Sequence, residues 1–278
     1  LVYLLCDLAV CVPLWFLLRA RRAGPAALVA WAWNPWVALE FAGAGHFDAL
    51  GILFLVAALA LWARPAVAAL ALAAGVATKL LPLALVPFLL RRARAWRAAL
   101  ALGAGLALPL VLFVLLAGEL PRPRGLSEYA FRWESFSLAH RWIEGFWAHV
   151  SPYDESWRDP RRLARATELL AWLAPLGWAF RRRLEPARVA LLAVGGFLVL
   201  TPTLHPWYLC WAVPFLALFR ARAFELLVAL APLLYWPLAV WRARGEWHEP
   251  LWLWPLVALP FGALLALDLW RARGALRP

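Results

Sequence analysis

The sequence predicts an all-α fold, a polytopic transmembrane helical bundle. Three observations carry this. Of 278 residues, 65% are hydrophobic and only 16% are charged, with a mean hydropathy of +0.72. Globular domains run near 45–50% apolar and about 25% charged, and a water-soluble chain of this size has too little polar surface to cover so much apolar area. The apolar residues fall in runs separated by arginine clusters. The chain also holds 20 Trp, a residue that favours the membrane–water interface. The composition excludes a soluble enzyme, a disordered chain and a disulfide scaffold.

In chain order the apolar runs predict nine spans: 1–18, 25–41, 47–63, 98–117, 165–180, 187–203, 206–219, 223–241 and 250–270. Several are short for a bilayer that needs about 20 residues. A tenth stretch, 66–90, is interrupted by Thr78-Lys79 and Pro82. Its flanks, Arg64 and the cluster of Arg91, Arg92, Arg94 and Arg97, both belong inside by the positive-inside rule. This predicts a broken re-entrant hairpin of two short helices, about 66–78 and 80–90, entering and returning on the cytoplasmic side. On the same rule 17 of the 28 basic residues, from Arg19 to Arg277, face the cytoplasm, and 12 of the 16 acidic residues, Asp154 and Glu155 among them, face outward. The net charge of +12 is thereby a matter of topology, and no nucleic-acid partner is expected. The whole chain, 1–278, reads as one integral membrane domain, with 118–164 as an extracytoplasmic loop. It starts inside an apolar run and contains no Met, which predicts a fragment lacking N-terminal sequence.

Ionisable groups at membrane depth are costly and point to function by default. Glu40, His46 and Asp48 lie in a turn between two predicted spans, with Gly43 and Gly45 allowing it to be tight. Two carboxylates and an imidazole there suit a phosphate, a sugar hydroxyl or a proton; the plainer reading is that Asp48 caps the next helix and His46 bonds a loop carbonyl. Lys79 is the only Lys in the chain. As a compact point charge it suits a phosphate, or it snorkels to the interface. His205 sits between Pro202 and Pro206, followed by Trp207 and Tyr208; it reads as a phosphate or sugar contact with a stacking wall, or as an aromatic-belt turn. Tyr129, Arg132, Trp133, Glu134 and Ser135 mix rings, charge and hydroxyls as sugar sites do, or form an interfacial helix. Asp7 should pair with a polar neighbour across helices. Cys6, Cys11 and Cys210 read as small buried hydrophobes, and no metal-ligand spacing is present.

Four segments together resemble the GT-C superfamily of polytopic glycosyltransferases, and within it the bacterial polyprenyl-phosphate-mannose-dependent alpha-mannosyltransferases. They are Trp33-Asn34-Pro35 through Asp48, Thr78-Lys79-Leu80-Leu81-Pro82 to Pro87, Tyr129 to Ser137, and Pro202 through Tyr208 with Pro214. The resemblance implies transfer of a sugar, most simply mannose, from a polyprenyl-phosphate donor to a lipid-linked or cell-envelope glycan. It implies inversion at the anomeric carbon and a site on the outer face of a bacterial plasma membrane. It implies that Lys79 and His205 bind the lipid phosphate, that Glu40, His46 and Asp48 shape the sugar or acceptor site, and that Tyr129 and Trp133 wall it. The family's catalytic carboxylate belongs in a first outer loop expected to precede this chain, so the base stays unassigned, with Glu40, His46 and Asp48 as candidates. No cofactor is implied with certainty, and a divalent metal is left open. Lys79 then poses a difficulty, since its hairpin opens from the cytoplasmic side while the chemistry lies outside. A transporter or lipid flippase is the alternative, because broken helices with buried charge serve that function too.

Overall fold

The computed structural model describes residues 1–91, 95–121, 125, 128–129, 133–151 and 159–275, with side chains to 271. Arg92, Arg94, Arg132, Asp154, Glu155 and Arg277, and residues 130–132 of the Tyr129–Ser137 segment, lie outside the described residues. The described elements are helical, with no strand among them.

The first half is built on α1 (Val2–Ala20), α4 (Asp48–Ala60), α5 (Pro65–Thr78) and α7 (Ala95–Ala117). These pack side by side in that order. Between α1 and α4 the predicted span 25–41 is in pieces: a 3-10 turn (Pro25–Leu28), α2 (Val29–Ala32), α3 (Pro35–Val37) and a π turn (Ala38–Gly43). The break at Asn34-Pro35 has a local cause. Pro35 supplies no amide hydrogen, and Asn34 Oδ1 accepts from the amides of Trp36 (3.0 Å) and Val37 (3.4 Å), starting a new helix. The predicted hairpin over 66–90 is present. After α5 the chain breaks at Lys79 and resumes as a 3-10 turn (Leu81–Leu85) and α6 (Val86–Leu90). It folds back so closely that a Cβ on Gly75 would lie 3.2 Å from Pro82.

The second half contains α8 (His140–Val150), α9 (Pro160–Arg182), α10 (Pro186–Leu200), α11 (Val213–Leu218), α12 (Arg222–Ala229), α13 (Trp236–Arg244) and α14 (Leu253–Ala275). Pro160, Pro186 and Pro214 each stand in the first turn of their helices, where the missing amide hydrogen costs nothing. The core lies where the halves meet. Trp31, Phe41, Trp211 and Phe215 are fully buried there. Asp7 is buried in α1, and the Trp31 indole donates to its backbone carbonyl at 3.0 Å.

Nine spans is not what the described helices provide. Only α1, α7 and Leu253–Arg271 of α14 are long and apolar enough to cross a membrane, and a fourth is reached if α12 and the following Ala231–Arg244, bent by 45°, count as one. Helix α4 has 13 residues, α5 has 14 and α10 has 15. At 1.5 Å per residue such helices reach only about 20 Å, against a hydrocarbon core of about 30 Å. The predicted span 165–180 sits inside the longer α9, whose Arg161, Arg162, Arg165, Glu168, Arg181 and Arg182 keep it from qualifying. Apolar runs mark burial as readily as lipid contact, and many of these runs face protein.

Candidate functional site: a cavity with a charged end and an apolar flank

Three of the four motif segments, and the described part of the fourth, meet in space. The Trp36 indole donates to the carbonyl of Pro206 at 3.1 Å. The Thr203 hydroxyl donates to the carbonyl of Trp133 (2.9 Å), and the amides of Ser135 and Leu204 reach Pro202 (3.2 Å) and Phe136 (2.8 Å) across the two loops. Lys79 Nζ donates to Asp48 Oδ1 at 2.6 Å, and the Trp211 indole donates to the same oxygen at 2.7 Å.

Each polar residue of the first turn has a definite task. Asp48 is the first residue of α4 but makes no capping bond. Its carboxylate, 1% exposed, serves Lys79 and Trp211 instead. Glu40 is fully buried in the π turn, whose widened backbone turns it inward. It accepts from the Tyr235 hydroxyl through both oxygens at 3.1 Å, and its Oε2 lies 3.3 Å from His46 Nε2. Gly45, with φ +76°, makes the turn that brings His46 back toward it. His46 bonds no loop carbonyl in the way a plain turn would have it. It stacks on Trp207 at 4.2 Å, and His205 stacks on Trp207 at 4.3 Å. One indole thus contacts both imidazoles. Burial pushes His46 below its ordinary value, with the Lys79 charge adding and Asp48 opposing. Burial, then Lys79, pushes His205 down to about 4. Both rings are therefore neutral near pH 7, and His205 Nε2 has no hydrogen-bond partner among the described residues.

Lys79 does not snorkel. Its ammonium lies 3.8 Å from the Tyr208 ring centroid as well as on Asp48. The hairpin therefore carries Lys79 to the level of the 46–48 turn, because α4 and α5 are antiparallel and nearly equal in length.

His46, Asp48, Lys79, Tyr129, Trp133, His205, Trp207 and Tyr208 all line one cavity of about 910 Å³. Glu40 stands behind it, reaching it only through His46. Tyr129 Oη lies 3.4 Å from Thr201 Oγ1, and Trp133 meets His205 edge-on at 6.0 Å. Away from the charged end the walls are apolar: Leu80, Leu83 and Pro87 on one side, Leu173, Leu176 and Phe180 of α9 on the other. From Trp172 to Arg181, both on the lining, α9 contributes about 14 Å of length. The contributions of α9, Trp211 and Tyr235 carry no sequence signal, since nothing local distinguishes them from other residues in broken apolar runs.

A family model described as the MptB C-terminal domain matches residues 152–269, less than half of the chain. No curated protein and no solved structure matches the chain. The matched region contains His205, Trp207, Tyr208, Tyr235 and the α9 wall of the cavity, but not Glu40, His46, Asp48 or Lys79. Together with the apolar helices it is consistent with an integral membrane protein. Over 152–269 the chain is similar to MptB, a likeness that fits a mannosyltransferase-like family of the GT-C kind and suggests a membrane glycosyltransferase.

Proposed function

We propose that this protein transfers a sugar, mannose in the first instance, from a polyprenyl-phosphate donor to a lipid-linked or cell-envelope glycan at the outer face of a bacterial plasma membrane. The observation that carries the reading is the two-part cavity. A phosphate on an isoprenoid needs a charged end joined to a long apolar wall, and the cavity offers both within about 910 Å³.

The reaction is displacement at the anomeric carbon with inversion. The acceptor hydroxyl oxygen forms the new bond while the bond to the phosphate oxygen breaks. The acceptor proton goes to a base, and the polyprenyl phosphate leaves as the anion. Lys79 faces that anion with the N–H groups not given to Asp48, and His205 Nε2 stands beside it as a hydrogen-bond donor. His46 is the base candidate that the geometry favours. It is neutral, it lines the cavity, and Glu40 holds its Nε2 side so that Nδ1 is left for the acceptor. Trp133, Trp207 and Tyr129 provide ring faces for a pyranose. Asp48 fixes Lys79, its Oδ1 accepting from both the Lys79 ammonium and the Trp211 indole.

The test is label transfer in membranes containing the full-length protein. Radiolabelled polyprenyl-phosphate-mannose is supplied and label is followed into lipid-linked glycan. Wild type should transfer. His46→Ala and Glu40→Gln should lower the rate by about 10²–10⁴-fold if His46 is the base. Lys79→Met should weaken donor binding. Absence of transfer from every polyprenyl-phosphate sugar would overturn the proposal and favour a transporter.

A further inference from the structure

A second cluster lies outside the cavity, starting at the residue after Trp133. Glu134, His140 and Glu144 each present a ligand atom, all within 4.8 Å of one another. His140 is 3% exposed, and its Nε2 is buried without a hydrogen-bond partner among the described residues. That nitrogen lies 3.8 Å from Glu134 Oε1 and 3.6 Å from Glu144 Oε2. The opposite nitrogen, Nδ1, lies 2.5 Å from Glu168 Oε1. An ionised carboxylate only accepts, so Nδ1 donates to Glu168, and Nε2 is the nitrogen available to a ligand.

We propose that Glu134, His140 and Glu144 bind a divalent transition-metal ion of the zinc class, and that Glu168 is the positioning residue that orients His140. Two observations support this independently. The ligand atoms lie close enough together, with Nε2 3.6 and 3.8 Å from the two carboxylates, for small side-chain shifts to bring bonds of about 2.0–2.2 Å to one ion. The buried, unpartnered Nε2 with a carboxylate on Nδ1 is the arrangement that metal-ligating histidines adopt. The mixed nitrogen and oxygen set favours zinc-class ions over Ca²⁺ and Mg²⁺, which take oxygen ligands. Charge agrees. Arg161 lies 3.4 Å from Glu144 Oε1 and Arg165 lies 3.2 Å from Glu134 Oε1, the oxygen that faces His140, so the three carboxylates keep one net negative charge over the two guanidinium groups for a cation to meet. Arg161 approaches Glu144 Oε1, leaving the Oε2 that faces His140.

The site would have a structural use. Glu134 follows Trp133, Glu144 belongs to α8 and Glu168 to α9. An ion here ties the wall of the cavity to both helices. This inference does not depend on the glycosyltransferase reading, and its readout is binding.

The experiment uses purified protein in lipid nanodiscs, stripped with chelator and dialysed against Zn²⁺, with bound metal measured by mass spectrometry. Co²⁺ serves as a spectroscopic probe of nitrogen–oxygen ligation. Wild type should hold about one equivalent of Zn²⁺, show visible Co²⁺ bands, and unfold at a higher temperature with Zn²⁺ than without. Glu134→Gln and Glu144→Gln, at partly exposed positions that tolerate change, should lose the ion, as should His140→Ala. Glu168→Gln should weaken binding by about 10–100-fold. Glu246→Gln, exposed and outside the cluster, should bind as wild type does. Wild type without bound Zn²⁺, equal binding in Glu144→Gln, or displacement of Zn²⁺ by equimolar Ca²⁺ would each overturn the proposal.

Discussion

Asp48 shows how one side chain organises the site. Its Oδ1 accepts from Lys79 and Trp211, residues 31 and 163 positions away. With the carboxylate 1% exposed, removing its cation leaves a buried charge held by an indole alone. Lys79→Met should therefore destabilise the protein by about 3–5 kcal/mol. Lys79→Met with Asp48→Asn should recover part of that loss, because the stranded charge goes with it. Chemical denaturation of the four proteins of this cycle checks it; a double variant less stable than the single would contradict it. His205 gives a pH prediction. Its value in the fold is about 4, against about 6.5 in an unfolded chain. Between these values the unfolded state binds more protons. Stability is thus fully present above pH 6.5 and declines as pH falls toward 4, by up to about 3 kcal/mol. Unfolding temperature against pH should show this slope, and His205→Gln should flatten it.

At the scale of elements, close packing of short helices is what brings the motifs together. Helix α7 rests on α5 through glycine. A Cβ on Gly105 would lie 2.6 Å from the Cβ of Ala73, whereas one on Gly103 would meet nothing within 4 Å. Ala73 has no flexible side chain to move, so the helices must separate. Gly105→Ala should cost about 1–3 kcal/mol. Gly103→Ala should be neutral or add up to about 1 kcal/mol through helix propensity. Thermal unfolding of the two variants compared side by side decides this, and equal shifts would refute the packing argument. Gly51 has a related role in α4, since a Cβ there would stand 2.8 Å from the Trp211 ring. Breaks matter as much as helices. The Pro35 restart, the π turn and the interruption at Lys79 each put a polar side chain where a continuous helix would hide or misdirect it.

For the molecule as a whole, the arginine clusters predict a sidedness that can be measured. In a background with Cys6, Cys11 and Cys210 replaced, a cysteine at Arg182 should react with a membrane-impermeant reagent only from the cytoplasmic side, and one at Glu246 only from outside. The reverse pattern would invert the topology and separate the site from an outer-face acceptor. Composition alone determined that the chain is helical and apolar enough for a membrane. Local motifs singled out Glu40, His46, Asp48, Lys79, His205 and their aromatic neighbours, which the structure gathers on or behind one cavity, and the Lys79-Pro82 interruption located the break in 66–90. Other features rest on residues distant in sequence: the level of Lys79 relative to Asp48, the indole between two imidazoles, the Tyr235 partner of Glu40, and the gathering of Glu134, His140, Glu144 and Glu168. The number of crossings also stayed out of reach, because hydropathy reports what a segment is made of and not whether lipid or protein surrounds it. Sequence patterning acts along the chain, within a few residues. Packing acts across it, and only the tertiary structure decided which distant groups came within bonding distance.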